Sequence, residues 1–221
     1  LPQGMVNLVV GDAGPIGEGL CTHPDVAMLS FTGSTEIGRK LIRDTAEQVK
    51  RLALELGGNA PFVVFEDADL DAAADALVAN KLRGSGQTCV CANRVYVQGE
   101  ERILAFSQKL AERVDKLRVG DGADPDTDVG PLIDRAGYEK VRRHLVDALE
   151  HGGEMVCGRS PEDLDPDRDL FFPPTVVRGV RDDALCAREE TFGPLFPIFP
   201  FTDEEEVVRR ANGTEAGLAA Y

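Results

Sequence analysis

The chain has 221 residues, 43% apolar and 29% charged, and 39 acids against 24 Lys and Arg give it a net charge of −15. That is enough chain for one large or two smaller cores with an ordinary soluble composition, and the acidity argues against nucleic acid or anionic membranes as partners. No apolar run is long enough to span a bilayer and no stretch reads as a signal peptide; five scattered cysteines (Cys21, Cys89, Cys91, Cys157, Cys186) do not form a secreted disulfide framework, so a reducing, cytoplasmic compartment is expected.

In chain order, Met5 to Val10 is β-rich and predicts a strand, followed by a turn at Gly11 to Pro15 and a short helix from Ile16 to Cys21. Val26 to Phe31 predicts a second strand, Glu36 to Val49 a helix with Ile37, Leu41 and Ile42 as apolar positions, and Leu52 to Leu56 a third strand. After Gly57-Gly58, the best candidate for a domain boundary, the pattern restarts. Phe62 to Phe65 reads as a buried strand, Leu70 to Arg83 as a helix with Leu70, Ala74, Leu77 and Val78 on one face, Gly84 to Asn93 as a loop and Arg94 to Gln98 as a strand. Helices are expected from Glu100 to Leu117 and Arg135 to His151, and strands at Met155 to Cys157 and Thr175 to Val180. Leu195 to Phe201 is a proline-interrupted extended segment, and Glu204 to Ala211 a helix. Up to Leu56 this alternation of strand, turn and helix is the grammar of a parallel α/β sheet.

Five stretches combine residues that chemistry uses. Gly33-Ser34 stands where a strand passes into a helix, which is either a phosphate cradle or an ordinary Ser/Thr N-cap; the spacing is not that of G-x-G-x-x-G. Glu55 ends an apolar strand beside two glycines and is either a salt-bridged strand end or a general base. Cys89 follows a helix and a glycine-rich turn, as a nucleophile or a small buried hydrophobe; Cys21, Cys157 and Cys186 fit the second role better. Cys91 points away from Cys89 or meets it in a strained disulfide under oxidation. Arg83 either completes a helix end or forks a substrate carboxylate. Glu189-Glu190-Thr191-Phe192-Gly193-Pro194 is a solvated turn, or one whose Glu190 bonds a ribose while Phe192 packs on a flat ring. No Cys/His cluster has metal-ligand spacing, and His23, His144 and His151 are unpatterned.

Together these motifs resemble the aldehyde dehydrogenase superfamily along essentially the whole chain. The resemblance rests on Leu1 to Gly4 with Asn7, Phe31 to Gly38, Leu54 to Pro61, Phe65-Glu66-Asp67-Ala68-Asp69-Leu70, Gly86 to Cys89, Gly130-Pro131-Leu132 and Glu189 to Pro194, with Glu55 and Cys89 lying 34 positions apart. Leu54 to Pro61 and Gly86 to Arg94 look most like the succinate-semialdehyde dehydrogenase branch, where Asn59 stands in place of the lysine of other branches; Gly84-Ser85 departs from the more usual Asn-Ala. The resemblance implies the closing part of a Rossmann-type NAD(P) domain over residues 1–57 and an α/β catalytic domain over 58–221. It implies that the Cys89 thiolate attacks an aldehyde, that hydride leaves to NAD or NADP, and that Glu55 activates the water that hydrolyses the thioester. The Cys89 N–H, with an asparagine from outside this chain, would hold the oxyanion. Gly33, Ser34, Gly38, Leu56, Glu190 and Phe192 are implied cofactor residues and Arg83 the substrate-carboxylate residue, with Cys91 a possible redox partner.

Coenzyme-A-acylating relatives lack a glutamate at position 55, so its presence favours release of the free acid. Relatives are about twice this length, so a central fragment, inactive alone, of a homo-oligomer (dimer or tetramer) is expected. The alternatives are a glutarate-semialdehyde or general aliphatic aldehyde dehydrogenase, or a non-catalytic scaffold.

Overall fold

The computed structural model describes residues 1–221, which divide into two units, Leu1–Gly57 and Gly58–Tyr221. In the first unit, helix α1 (Ala13–Thr22) is followed by strand β1 (Met28–Thr32), helix α2 (Thr35–Thr45) and strand β2 (Arg51–Glu55). β1 and β2 pair in parallel from Met28↔Arg51 to Thr32↔Glu55. A small core of Cys21, Leu29 and Leu41, joined by Phe31 and Leu52, lies beneath them. The chain enters β2 through a short 3₁₀ turn and Val49 in the left-handed region (φ 51°). There the Lys50 ammonium bonds the carbonyls of His23 (2.5 Å) and Val26 (2.6 Å). The strand expected from Met5 to Val10 does not form. These residues are irregular and exposed, because a β-rich run makes a strand only beside a partner, and no strand of this unit lies alongside. Of the expected apolar positions of α2, Leu41 is buried while Ile37 and Ile42 remain exposed.

The second unit is a five-stranded sheet in the order β3-β4-β7-β6-β5, built from β3 (Ala60–Val64), β4 (Ala92–Gln98), β5 (Glu154–Cys157), β6 (Thr175–Arg178) and β7 (Leu195–Phe201). β3, β4, β7 and β6 are parallel, and β5 is antiparallel to β6. Side chains alternate across the sheet. Tyr96, Leu195, Phe199 and Phe201 face α5 (Arg135–Glu150), α6 (Leu185–Arg188) and α7 (Glu204–Ala211) in one core. Val95, Val97, Phe196 and Ile198 face α3 (Leu70–Lys81) and α4 (Glu100–Val114) in the other. Tyr221 pairs with the outer side of β3, its N–H donating to Pro61 O (3.0 Å) and its carbonyl accepting from Val63 N–H (2.9 Å).

The proline-interrupted segment is the central strand β7, against the usual exclusion of proline from such positions. Each proline falls outside one of the two ladders. Pro197 pairs with Val177 of β6 but precedes the β4 ladder, which starts at Ile198. Pro200 pairs with Val97 of β4 but lies beyond the last β6 partner, again Ile198. No helix is long and apolar enough to cross a membrane.

Candidate active site

In the second unit, α3 opens on Asp69, whose carboxylate accepts from Asp71 N–H (2.9 Å) and Ala72 N–H (3.1 Å), a capping arrangement that fixes where the helix starts. The helix stops at Lys81, two residues before the expected Arg83, and the chain turns through three left-handed residues, Gly84 (φ 54°), Ser85 (φ 59°) and Gly86 (φ 80°). Glycine takes this conformation freely, whereas serine there carries strain on the order of 1 kcal/mol. Ser85 is held by its hydroxyl, which donates to Gly130 O at 3.0 Å. Gln87 donates to Gly84 O (3.1 Å) and Pro131 O (3.3 Å) and accepts from Ile133 N–H (2.8 Å). The Gly130-Pro131-Leu132 motif therefore braces the turn that presents Cys89.

Cys89 is half-buried, and none of the hydrogen bonds of this turn uses its thiol. Cys91 is buried, its sulfur 2.6 Å from Thr88 Oγ1 and 3.3 Å from Lys81 O. All five cysteines are free thiols. Burial pushes Cys186 up to about 12 and Cys157 up to about 11, as for inert packed thiols. Arg83 is exposed at the mouth of the turn, and its guanidinium has no carboxylate partner.

Two close backbone approaches join this turn to other motifs. A Cβ on Gly58 would lie 2.3 Å from the Cys89 carbonyl oxygen, and one on Gly86 would lie 2.4 Å from the Gly193 carbonyl. Gly58 N–H also donates to Glu190 Oε1 at 3.1 Å. The Cys89 turn, the second glycine of the pair and the Glu190 turn thus stack backbone on backbone. Burial raises the Glu190 carboxyl above its ordinary value, and the Gly58 N–H opposes that shift. Phe192, next but one to Glu190, is 38% exposed and left-handed (φ 57°), a sparsely populated conformation for an aromatic residue.

In the first unit, Ser34 caps α2, accepting from Ile37 N–H at 3.3 Å. Gly33 N–H donates to Glu55 O (3.0 Å). A Cβ on Gly38 would lie 2.6 Å from Leu56 Cδ2, so this pair sets how closely α2 sits on the segment after β2. The first-turn N–H groups that no carbonyl four residues back can reach are donors suited to a diphosphate, while at Gly33 the place of a Cβ is taken by the Phe31 ring, 2.4 Å away. Glu55 is exposed at the end of β2. No group of three or more His, Cys, Asp or Glu is arranged to hold a metal ion.

The aldehyde dehydrogenase family model matches residues 1–221. The chain belongs to the aldehyde dehydrogenase family. It is 50% identical over 221 residues to the Escherichia coli (strain K12) protein named succinate-semialdehyde dehydrogenase [NADP(+)], and 48% identical to the Pseudomonas aeruginosa protein named glutarate-semialdehyde dehydrogenase. Each match covers 100% of this chain and 45% of the relative. A solved oxidoreductase from Marinobacter aquaeolei superposes with a TM-score of 0.96 at 63% identity, covering 100% of this chain and 45% of that one. The chain therefore has the aldehyde dehydrogenase fold and spans about half the length of the curated relatives it matches.

Around the Glu190 turn of this aldehyde dehydrogenase chain lie buried polar residues whose joint role the motifs do not announce. Asn59, Asn93, His144 and Thr191 are buried and hydrogen-bonded to one another or to the turn. Lys81 is buried as well, at 1% exposure. His144 had a legible signal: it falls on the helical stripe Tyr138, Val141, Leu145 and Ala148, where a polar residue needs a partner. That partner is Thr191 Oγ1, 3.1 Å from Nδ1.

Proposed function

We propose that this chain carries the nucleophile and part of the cofactor site of an NAD(P)-dependent aldehyde dehydrogenase that oxidises succinate semialdehyde to succinate. The observation that carries this reading is Gly58, whose backbone lies against the Cys89 carbonyl while its N–H holds Glu190. In this reading the Cys89 sulfur adds to the aldehyde carbon to give a thiohemiacetal, and the Cys89 N–H donates to the developing oxyanion. A bound nicotinamide dinucleotide supplies the hydride acceptor. Glu55 takes a proton from the water that attacks the resulting thioester, and the thiolate leaves. The first turn of α2 and Ser34 bind the diphosphate, Glu190 accepts from ribose hydroxyls, and Phe192 lies at the ring. The free, exposed Arg83 guanidinium forks the far carboxylate of the substrate.

Glutarate semialdehyde is the second reading, favoured by the 48% identity to a relative of that name. The whole protein is read as a cytoplasmic homo-oligomer of two or four copies. The test uses the full-length enzyme with succinate semialdehyde, glutarate semialdehyde and butanal, following reduced dinucleotide at 340 nm (an assay wavelength). Cys89→Ala is expected to abolish turnover with all three. Arg83→Ala is expected to raise KM for both carboxylated aldehydes about 30-fold, as for loss of a charged hydrogen-bond pair, and to leave butanal within about twofold. An unchanged preference for the carboxylated aldehydes would remove Arg83 from the substrate site.

A further inference from the structure

The carboxylate of Glu190 has one hydrogen bond of its own, from Gly58, while the backbone that carries it is held by a single side chain. Asn93, the second residue of β4, is 3% exposed. Its Oδ1 accepts from Thr191 N–H at 2.9 Å, and its Nδ2 donates to Glu189 O at 3.1 Å. The residues immediately before and after Glu190 are thus bonded to the two ends of one amide. Nδ2 also faces Cys186 O (3.3 Å) and Asn59 Oδ1 (2.6 Å), and Asn59 is turned that way because its own Nδ2 donates to Ala187 O (3.1 Å).

Only an amide fits: one acceptor meets an N–H, and one NH₂ meets three oxygens. Asn93 is also four residues from Cys89, on a segment anchored to α3 where Ala92 N–H donates to Asn80 Oδ1 at 2.7 Å. His144 supports the turn from α5, with Nδ1 at Thr191 Oγ1 and Nε2 3.4 Å from Glu189 Oε2.

We propose that Asn93 is a positioning residue for dinucleotide binding, its amide fixing the Glu189–Thr191 backbone so that Glu190 stands ready for the ribose. The inference rests on the reading of Glu190 as the ribose-binding carboxylate. Asn93 touches neither substrate nor dinucleotide and acts through Glu190 alone.

The test compares Asn93→Asp, Glu190→Gln and the double variant in the full-length enzyme. Asn93→Asp keeps the size and the acceptor for Thr191 N–H but turns an oxygen toward three oxygens, leaving them without a donor. It is expected to raise the dinucleotide KM about tenfold, the scale of one lost buried hydrogen bond, while the aldehyde KM stays within about twofold. The double variant is expected to match the worse single variant, because both changes act through one carboxylate. Hydrogen exchange of residues 188–194, read by mass spectrometry, is expected to quicken in Asn93→Asp and not in Glu190→Gln. If Asn93→Asp accumulates poorly, Asn93→Ser, which restores a single donor, is read the same way.

A dinucleotide KM within twofold of the parent in Asn93→Asp, with Glu190→Gln still impaired, overturns the role of Asn93 and leaves the ribose reading standing. A silent Glu190→Gln overturns that reading and with it the route through Glu190. Multiplying effects in the double variant, or equal losses on both substrates, would show a general structural role instead.

Discussion

Lys81 ends α3 with its side chain inside the protein, 1% exposed, and no hydrogen bond holds its ammonium. Burial lowers it from the ordinary lysine value of 10.5 to about 8, although Cys91, Glu190 and Cys186 act in the opposite sense. A depression of that size corresponds to about 3 kcal/mol against folding. Below about pH 8 the amine is charged in both the folded and unfolded chain, and the penalty is fully present. Between pH 8 and 10.5 the unfolded chain keeps a proton that the folded chain has released, so stability rises with pH; above 10.5 the penalty is gone. Lys81→Met, of similar length and uncharged, is therefore expected to be more stable than the parent at pH 7 by up to about 3 kcal/mol. The gain is expected to fade between pH 8 and 10.5, as read from denaturant midpoints across pH. A gain that does not change with pH would mean that packing rather than charge sets it. The same variant removes a cation that favours the ionised form of Glu190.

At the scale of elements, Arg94 of β4 does for α7 what a C-terminal cap does for an isolated helix. It is 1% exposed and has no carboxylate partner. Its guanidinium donates to Arg210 O (3.0 Å), Ala211 O (2.8 Å) and Asn59 O (3.0 Å), and lies 3.3 Å from Tyr96 Oη. The first two are carbonyls at the end of α7, where the helix is partly negative; Arg210 O also accepts from Gly213 N–H (3.1 Å). A lysine has no planar fork to reach all of them. Arg94→Lys is expected to cost on the order of 3 kcal/mol, and Arg94→Ala more, as a fall in Tm with α7 exchanging amides earlier than β4. The elements most legible in the sequence were those with local signals. α3, α4, α5 and α7 have helical spacing and β4 is rich in β-formers, so all were expected near where they occur. The placement of β7 at the centre of the sheet was not legible, since its two prolines are tolerated only through the registers of β4 and β6, set by distant residues. α6, at four residues, is too short to show a period. At the site, Cys89, Glu55 and Glu190 stand in recognisable motifs. Asn59 and Asn93 also lie within motif stretches, but their pairing was not legible, because a buried amide network is defined by the strands it joins.

At the scale of the whole chain, the two units differ in how much apolar surface each buries within itself. The second has a sheet covered on both faces, with Phe106, Leu110, Phe196 and Ile198 on one side and Tyr138, Val141, Leu145 and Phe199 on the other, all buried. The first has a two-stranded sheet over three buried apolar side chains, and Met5, Val6, Leu8, Val9 and Val10 lie exposed on it. A two-stranded sheet is marginal without further packing, and the opening energy of a segment follows its buried contacts. Native-state hydrogen exchange of this 221-residue chain is therefore expected to show two tiers. Amides of β1, α2 and β2 should exchange through openings at least about 2 kcal/mol cheaper than those of β4, β6 and β7. Limited proteolysis should cut first within residues 1–57 and leave a resistant product beginning near Gly58. Equal protection of β1 and β4 would show that the first unit draws its stability from more than its own core. In that case Gly57-Gly58 would not separate two cooperative units, and mutations in α2 would be expected to lower protection at Cys89 as much as at Ser34.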